Sequence, residues 1–502
     1  MRDHVLLFIN GRRHEVRGAA VFAPLSSFLR YELEKTGTKV VCAEGDCGAC
    51  AVLVGRATAD GAIRYEPVTS CIAIVGQFDL AHVVTVEGLR RNGHPHAVPE
   101  AIVANHATQC GFCTPGFVVS LCGLLNEHPS PTEGDVRAAL IGNLCRCTGY
   151  QSIVEAGTRV DHRNLRKLDE LYPPPAMLEE MAVRAVDDVR VEDGGRFFFK
   201  PATVESAVAF RAQHPGCTIL AGGTDVGVQV NKGTREMRDV LLLGALPGLR
   251  TIASGEDHLT VGAGATLTDL ERATREGYPE LYPMLTRHGS PLIRNAGTLA
   301  GNVANGSPIG DALPALYVLN AEIELARGAT PSPGAPGERR GEGSPLTQRR
   351  INIHEFFTGY KRTVMTPEEL ITAIHIPRLG REEILRVYKV SKRRDLDISS
   401  FTAAVWLRRS GETIADVRIA YGGVGPNIVR LPRTEAMLRG QVIGEALFGR
   451  AGVVARTEIT PISDVRGSTD YRLQLAENIL LKFYFDLVSG ANSAMVGAGQ
   501  ES

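Results

Sequence analysis

The stretch Val40 to Val54, VVCAEGDCGACAVLV, sets three cysteines into a glycine-punctuated loop that runs into an apolar strand. Cys71 joins Cys42, Cys47 and Cys50 to give C-x4-C-x2-C-x20-C. Gly45 and Gly48 let the backbone fold tightly, so that several amide N–H groups can point at sulfur. Upstream, Val5 to Ile9, then Asn10-Gly11, then His14 to Val16 predict a hairpin on a two-residue turn. A short helix is expected from Ser26 to Leu33, with Leu25, Phe28, Leu29 and Leu33 on one side.

A second quartet follows. Cys110, Cys113, Cys145 and Cys147 read C-x2-C-x31-C-x-C, so the two quartets hold eight of the nine cysteines in the first 150 residues, out of ten in all. The segment QCGFCTPGFVVSLCGLL predicts a helix with Thr114 as N-cap and Pro115 as its first residue. Thr132 and Asp135 predict a capping box for another helix, expected to stop at Gly142. Thr148 and Gly149 open a third. The first quartet has the plant-type ferredoxin spacing for one [2Fe–2S] cluster. Disulfides or zinc are the bland alternatives, and zinc favours paired C-x2-C knuckles. The second quartet has the ligand count for another cluster and, taken alone, is open to zinc. Two one-electron carriers side by side make a wire. Cys122 lies in an apolar helix and reads as a buried spectator; Cys217 has no assignment.

Composition narrows the class. A chain of 502 residues is expected to form two to four domains. Hydrophobic residues at 44% and charged residues at 22% are ordinary for a soluble protein. A net charge of -1 gives no reason to expect a nucleic-acid partner. The opening MRDHVLLFINGRRHEV is too short in its apolar run for a signal peptide. No stretch approaches the roughly 18 apolar residues of a spanning helix, so no membrane partner is expected. A cytoplasmic location follows, and there clustered thiols more often bind metal than pair as disulfides.

The second half changes character. LYPPPAM and DDVRVEDGGR mark a boundary expected to be semi-rigid. FKPATVESAVAFRAQHPG then predicts strand, N-cap and helix. Ile219, Leu220 and Ala221 run into Gly222-Gly223-Thr224-Asp225, where bare glycine amides and a hydroxyl could meet a pyrophosphate. GAGATL at Gly262 lacks the third glycine of the Rossmann fingerprint. Residues 294–316, RNAGTLAGNVANGSPIGDALPAL, read either as a Gly-rich loop between helices or as a loop around a ribityl chain and flavin ring. Residues 327–350 hold no hydrophobic residue beyond Ala and one Leu, and predict an exposed insertion whose arginines read as a solvated loop rather than a docking patch. The last part predicts a three-stranded antiparallel sheet with a helix from Tyr471 to Val488. The YGGVGP turn at Tyr421 reads as structural.

CAEGDCGAC, QCGFCTPG and GNLCRCTGY together resemble the iron–sulfur part of the molybdenum hydroxylases, the xanthine dehydrogenase family. The two Gly-rich segments resemble that family's FAD-binding domain, which shares the fold of vanillyl-alcohol-oxidase-type flavoproteins. The resemblance implies an α+β multidomain chain. A ferredoxin-like β-grasp [2Fe–2S] domain would span 1–82 and a helical-bundle [2Fe–2S] domain 83–165. A linker would span 166–190, a vanillyl-alcohol-oxidase-type α/β FAD-binding domain 191–381, and an α+β C-terminal flavoprotein domain 382–490. It implies that Ile219, Leu220, Ala221, Gly222, Gly223, Thr224, Asp225 and Val226 hold the pyrophosphate and adenine side of FAD. Thr298, Asn302 and Asp311 would hold the ribityl and pyrophosphate region. Ile371 would pack on the flavin, and Lys389 would stand near its pyrimidine edge, where a cation stabilises the reduced form. Gln109 would touch the pterin of a molybdenum cofactor. His288 stands where the family often has an aromatic, and Leu396 where some members carry an acid.

By resemblance the chain is an electron-transfer subunit, its catalytic work being positioning and potential tuning. No molybdenum-binding sequence follows the flavin half before Ser502, so a separate large subunit is expected to carry the molybdenum cofactor. Electrons from hypoxanthine or xanthine, oxidised to urate in purine catabolism, would pass through two [2Fe–2S] clusters to FAD and then NAD+. A heterotetramer of two small and two large subunits is expected. The alternative within the family is a small subunit acting with an aldehyde- or N-heterocycle-oxidising partner. Outside it stands a zinc-stabilised scaffold, which metal analysis and flavin absorbance would separate.

Overall fold

The computed structural model describes residues 1–91, 94–161, 163–328 and 346–490. They form two compact units. One is Met1–Leu246 with Ser290–Gly297; the other is Pro247–Gly289 with the described residues from Thr298 on.

In the first unit β1 (Val5–Ile9) and β2 (Arg12–Val16) form the expected hairpin. Asn10 and Gly11 both take positive φ, 49° and 77°, which the right-handed twist of a two-residue hairpin turn demands. β3 (Ala51–Ala57), β4 (Ile63–Thr69) and β5 (His82–Val84) complete a sheet of order β2-β1-β5-β3-β4, with β1 and β5 parallel. The helix expected from Ser26 to Leu33 forms as Leu25–Ser27 continuing into a π-helical turn, Phe28–Glu32. The Leu33 amide reaches the Phe28 carbonyl, five residues back, at 3.2 Å. Leu25, Phe28 and Leu29 still face the core of the sheet.

Four helices follow: α1 (Ala97–Ala104), α2 (Thr114–Glu127), α3 (Glu133–Ala139) and α4 (Gln151–Thr158). Thr132 and Asp135 form the expected capping box. Thr114 does not cap α2: Cys113 is the N-cap, and the Thr114 hydroxyl is engaged by Thr108 at 2.8 Å. Cys122 is buried, at 2% exposure, among the apolar side chains of the bundle. The proline-rich boundary is not an open linker. It turns into α5 (Pro175–Arg184), whose Met177 and Met181 pack on Phe8 of β1. Prolines at the helix start and an i, i+4 methionine pair explain why it docks.

β6 (Val189–Asp193), β7 (Arg196–Lys200), β8 (Thr218–Leu220) and β9 (Val240–Leu242) form a second sheet of order β8-β9-β7-β6, parallel from β8 to β7. Thr203 caps α6 (Val204–Gln213), as expected. α7 (Thr224–Asn231) leaves the Gly-rich turn after β8.

In the second unit β10 (Ile252–Ser254), β11 (His258–Gly262), β12 (Glu322–Gly328), β13 (Leu346–Asn352) and β14 (Leu370–Pro377) form a sheet of order β10-β11-β14-β12-β13. Arg327, Gly328 and 346–350 of the expected insertion are therefore paired strand, while 329–345 lie outside the described residues. Ahead of β12 sit α8 (Leu299–Asn305) and α9 (Leu313–Leu319). The C-terminal part has four strands rather than three: β15 (Glu383–Val390), β16 (Phe401–Ser410), β17 (Thr413–Gly422) and the two-residue β18 (Val429–Arg430). α10 (Thr469–Val488) packs on that sheet. Tyr421 of the YGGVGP turn is fully buried and donates to the Ala476 carbonyl at 3.0 Å, a structural contact. Among the described residues no helix is long and apolar enough to cross a membrane.

Candidate cofactor sites

The loop after Lys39 carries Cys42, Cys47 and Cys50 through three residues of positive φ: Ala43 at 55°, Gly45 at 77° and Gly48 at 68°. These left-handed turns fold the loop back on its own thiols, and the Glu44 amide lies 3.4 Å from the Cys42 sulfur. Cys71, just past β4, comes to the same place. Cys50 and Cys71 are each 2% exposed, whereas Cys42 and Cys47 are half-buried.

In the helical part, Cys113 stands at the N-cap of α2, and Cys145 and Cys147 lie in the turn before α4. Cys147 reaches Cys110 at 3.6 Å, Cys145 hydrogen-bonds Cys113, and the Cys145 sulfur lies 3.2 Å from the Thr148 hydroxyl. Cys110 and Cys147 are exposed, and beside them Phe112 and Leu144 present apolar surface at 49% and 38% exposure.

Titration follows the same pairing. Hydrogen bonding from Cys47 and Cys71 holds the Cys42 thiol far down, and Cys42 in turn pushes Cys47 up. A hydrogen bond from Cys71 lowers Cys50, while Cys42 and Cys50 raise Cys71. The Phe112 amide, then Cys147, lowers Cys110, and Cys147 rises against Cys110. Burial pushes Cys113 up to about 12; Cys145 is lowered against burial by the Thr148 hydroxyl and backbone. Two thiolates this close repel, so ionising one thiol of a close pair opposes ionising the other. Full deprotonation needs a cation at each pair, and metal binding releases those protons. A [2Fe–2S] cluster takes two thiolates per iron, so both quartets fit it. Among the described residues no group of three or more His, Cys, Asp or Glu is gathered to hold a single metal ion.

The two quartets are joined through backbone. The Leu144 amide, next to Cys145, donates to the carbonyl of Cys47 at 3.0 Å. Asn143, 4% exposed, accepts from Ser120 at 2.8 Å and reaches the Gly48 carbonyl at 3.4 Å. A Cβ on Gly48 would stand 2.3 Å from the Gly142 carbonyl, and one on Gly116 2.3 Å from the Gly48 carbonyl. Sequence patterns single out the cysteines but not Asn143 or Ser120, whose spacing has no signature.

The Gly-rich turn of the first unit keeps the expected shape. β8 supplies Thr218–Leu220, and Gly223, at φ 70°, is the N-cap of α7 with no side-chain cap. No side chain therefore caps the first amides of α7, and Thr224 is its first residue. Packing also requires a glycine at 222, since a Cβ there would stand 2.1 Å from the Ala296 carbonyl.

In the second unit, residues 298–316 are mostly helical rather than an open loop. Thr298, 4% exposed, caps α8 by accepting from the Gly301 amide at 3.0 Å. The Oδ1 of Asn302 is buried and has no hydrogen-bond partner among the described residues, as an acceptor awaiting a ligand hydroxyl would be. Asp311 and Lys389 meet in a buried ion pair at 2.7 Å. Lys389 also donates to the Arg287 carbonyl at 3.0 Å, Ser399 donates to Asp311, and Arg287 donates to the Arg394 carbonyl at 3.0 Å. Ser399 and Arg287 have no sequence signal of their own beyond lying near Lys389 and His288. Ile371 is buried in β14 opposite Leu325 of β12. His288 is half-buried and Leu396 takes a positive φ of 70°. Gln109, beside Cys110, is exposed.

Three family models match the chain. Residues 85–158 match a [2Fe-2S] binding domain, 190–332 the FAD binding domain in molybdopterin dehydrogenase, and 386–487 the CO dehydrogenase flavoprotein C-terminal domain. The chain is 28% identical to a xanthine dehydrogenase of Emericella nidulans, over 97% of its own length and 39% of that protein. It is 31% identical to aldehyde oxidase 4 of Cavia porcellus, over 96% of its own length and 39% of that protein. The chain thus spans about two-fifths of the curated relatives it matches. Among solved structures, a carbon monoxide dehydrogenase chain of Hydrogenophaga pseudoflava, in a form lacking the Mo-pyranopterin moiety, shares the fold. Its TM-score is 0.51 at 24% identity, covering 57% of this chain and 94% of that one.

Proposed function

We propose, for a chain that belongs to the molybdenum hydroxylase family and carries its [2Fe–2S], FAD-binding and C-terminal flavoprotein domains, that it is the electron-transfer subunit of a xanthine dehydrogenase. In this reading a molybdenum-bearing large subunit oxidises hypoxanthine and xanthine to urate, and this chain carries the electrons to NAD+. When bound, the two clusters supply one-electron steps and FAD gathers electrons in pairs.

The observation that carries the reading is the backbone link between the quartets, Leu144 to Cys47 at 3.0 Å, behind an exposed rim at the second. Cys110 and Cys147 face outward beside Phe112 and Gln109, a surface suited to a partner's redox centre. Gln109 is proposed to reach the partner's pterin there. Ile219 to Val226 are proposed to hold the FAD pyrophosphate by amides and the Thr224 hydroxyl. Thr298, Asn302 and Asp311 are proposed for the ribityl region, and Ile371 and Lys389 for the flavin ring. The ion pair with Asp311 sets how much of the Lys389 charge a ring would feel.

The xanthine type is preferred to the carbon monoxide type on extent. The xanthine dehydrogenase relative aligns over 97% of this chain and the carbon monoxide dehydrogenase chain over 57%. Aldehyde oxidase 4 aligns over 96%, which keeps an aldehyde-oxidising partner as the second reading. A cytoplasmic setting suits ten free thiols, and a heterotetramer of two small and two large subunits completes the proposal.

The test uses the chain co-purified with its native partner. About four iron and one FAD per chain, with NADH formed on adding xanthine, support the proposal. The same cofactors with aldehyde but no xanthine turnover would move the substrate, and zinc without flavin would overturn the whole reading.

A further inference from the structure

The proposed flavin turn and the first quartet are mechanically continuous within one unit, through the eight residues of α7. At the start of the helix, Gln77 donates from Nε2 to the Gly222 carbonyl at 3.0 Å, while its Oε1 accepts from the Ile74 amide at 3.0 Å. Gln77 is 8% exposed, so this amide is locked between the two segments. In the middle, Gly227 lies so close to the residue after Cys71 that a Cβ would stand 1.9 Å from the Ile72 carbonyl. At the end, the Asn231 Nδ2 donates to two carbonyls at once, those of Ala43 and Cys71, each at 2.8 Å. Just beyond, Lys232 pairs with Glu44 at 3.0 Å.

Both carbonyls held by Asn231 adjoin thiols of the quartet. One belongs to Cys71 itself, and the other to the residue after Cys42. Ala43 is held at φ 55°, a left-handed conformation that a non-glycine residue keeps only when its surroundings fix it. The orientation of these peptide groups sets which dipoles face the sulfurs, a determinant of reduction potential. The opposite end of the same helix presents the amides proposed for the pyrophosphate.

We propose that Asn231 is a positioning residue of the first [2Fe–2S] cluster, reaching it from the flavin-binding segment, and that α7 makes cluster loading and FAD retention interdependent. The inference rests on the reading of the first quartet as a cluster site and of the Gly-rich turn as an FAD site. Coupling through a rigid element is reciprocal: what stabilises one end stabilises the other.

The experiment compares the native complex with its Asn231→Ala and Asn231→Asp forms. Asn231→Asp keeps the shape but turns an acceptor toward two carbonyls; Asn231→Ala only removes the donor, so one survives if the other misfolds. The readouts are the EPR line shape and midpoint potential of each cluster, and the dissociation constant of FAD. The expected result is an altered line shape and shifted midpoint for one cluster only. FAD binding should weaken by about tenfold, within the usual range of site-to-site coupling. Asn231→Ala should change less than Asn231→Asp. Two unaltered cluster signals in both variants, with FAD held as tightly as in the parent, would overturn the inference while leaving the cofactor assignment intact. Absence of [2Fe–2S] signals in the parent itself would instead overturn the reading beneath it.

Discussion

The two quartets offer the same four thiols in opposite settings. Cys50 and Cys71 are walled in by Ile72, Val228 and Ile293, and the loop around them is pinned by backbone contacts on several sides. Cys110 and Cys147 sit in the open, on turns at helix ends, with the apolar ring of Phe112 beside them. Ligand type therefore does not distinguish the sites; dielectric and access do. A buried cluster exchanges electrons only with what the fold holds against it, whereas an exposed one can meet a partner. With clusters bound, burial near amide dipoles would also tune the potential separately at each site.

The largest expected effect breaks this comparison at the ligands. Cys50→Ser and Cys147→Ser should each remove one cluster, lowering iron by about half from the roughly four atoms of two [2Fe–2S] centres. They should differ in what else is lost. Cys50 lies in a sealed contact with Cys71 and Ile72, so its loss leaves a polar hydroxyl among apolar side chains and an unfilled cluster cavity. Cys147 is bounded by solvent on one side. The melting temperature should fall far more in Cys50→Ser, and limited proteolysis should open the sheet domain there only. Equal losses of stability would show that the settings differ less than burial suggests.

The next effect attacks the seam. Gly48→Ala places a methyl 2.3 Å from the Gly142 carbonyl and forces alanine into φ 68°. Backbone strain and overpacking together should cost roughly 3–5 kcal/mol. The Leu144-to-Cys47 link lies beside it, so electron exchange between the clusters should slow as well. Freeze-quench EPR, following reduction of one cluster and then the other, reads that directly. Unchanged stability and exchange would mean that the seam gives way cheaply.

How much of this could be read in advance varies by type of contact. The Asn10-Gly11 hairpin and the Thr132 and Thr203 caps are local patterns, set by spacing and by each residue's own backbone preference, and the structure has them where the sequence puts them. Thr114 shows the limit: its hydroxyl found a partner in Thr108 rather than its own helix. Residues 294–316 read as a loop because of their glycines, yet tertiary packing keeps the helices Leu299–Asn305 and Leu313–Leu319 there. Asn231, Gln77 and Asn143 were unreadable because each acts on a carbonyl far away in sequence, and no motif encodes such a partner. The pairing of Asp311 with Lys389 is of the same kind, although each was singled out separately by resemblance.

The smallest effect sharpens the comparison through pH. His82 of β5 is fully buried; its Nε2 accepts from the Gly11 amide at 3.0 Å and its Nδ1 meets the Tyr65 hydroxyl at 2.7 Å. A backbone N–H can be accepted only by an unprotonated nitrogen, so the ring is neutral, and burial lowers its pKa to about 4. The unfolded chain takes up that proton near 6.5. Between 6.5 and about 4 the unfolded state therefore binds more protons than the folded one, and stability falls as pH falls. His96, behind the second quartet, is lowered by burial too, but its bond to the Arg166 carbonyl at 2.9 Å favours the charged form and opposes the shift. Acid should thus loosen the sheet domain more than the helical one, by on the order of 2 kcal/mol. The better-buried first cluster should then be lost before the exposed second, as EPR intensities across a pH series would show. His82→Gln keeps an acceptor for Gly11 and removes the titration, so its first-cluster signal should hold level over that window. A parallel fall in parent and variant would place the acid sensitivity elsewhere in the sheet domain.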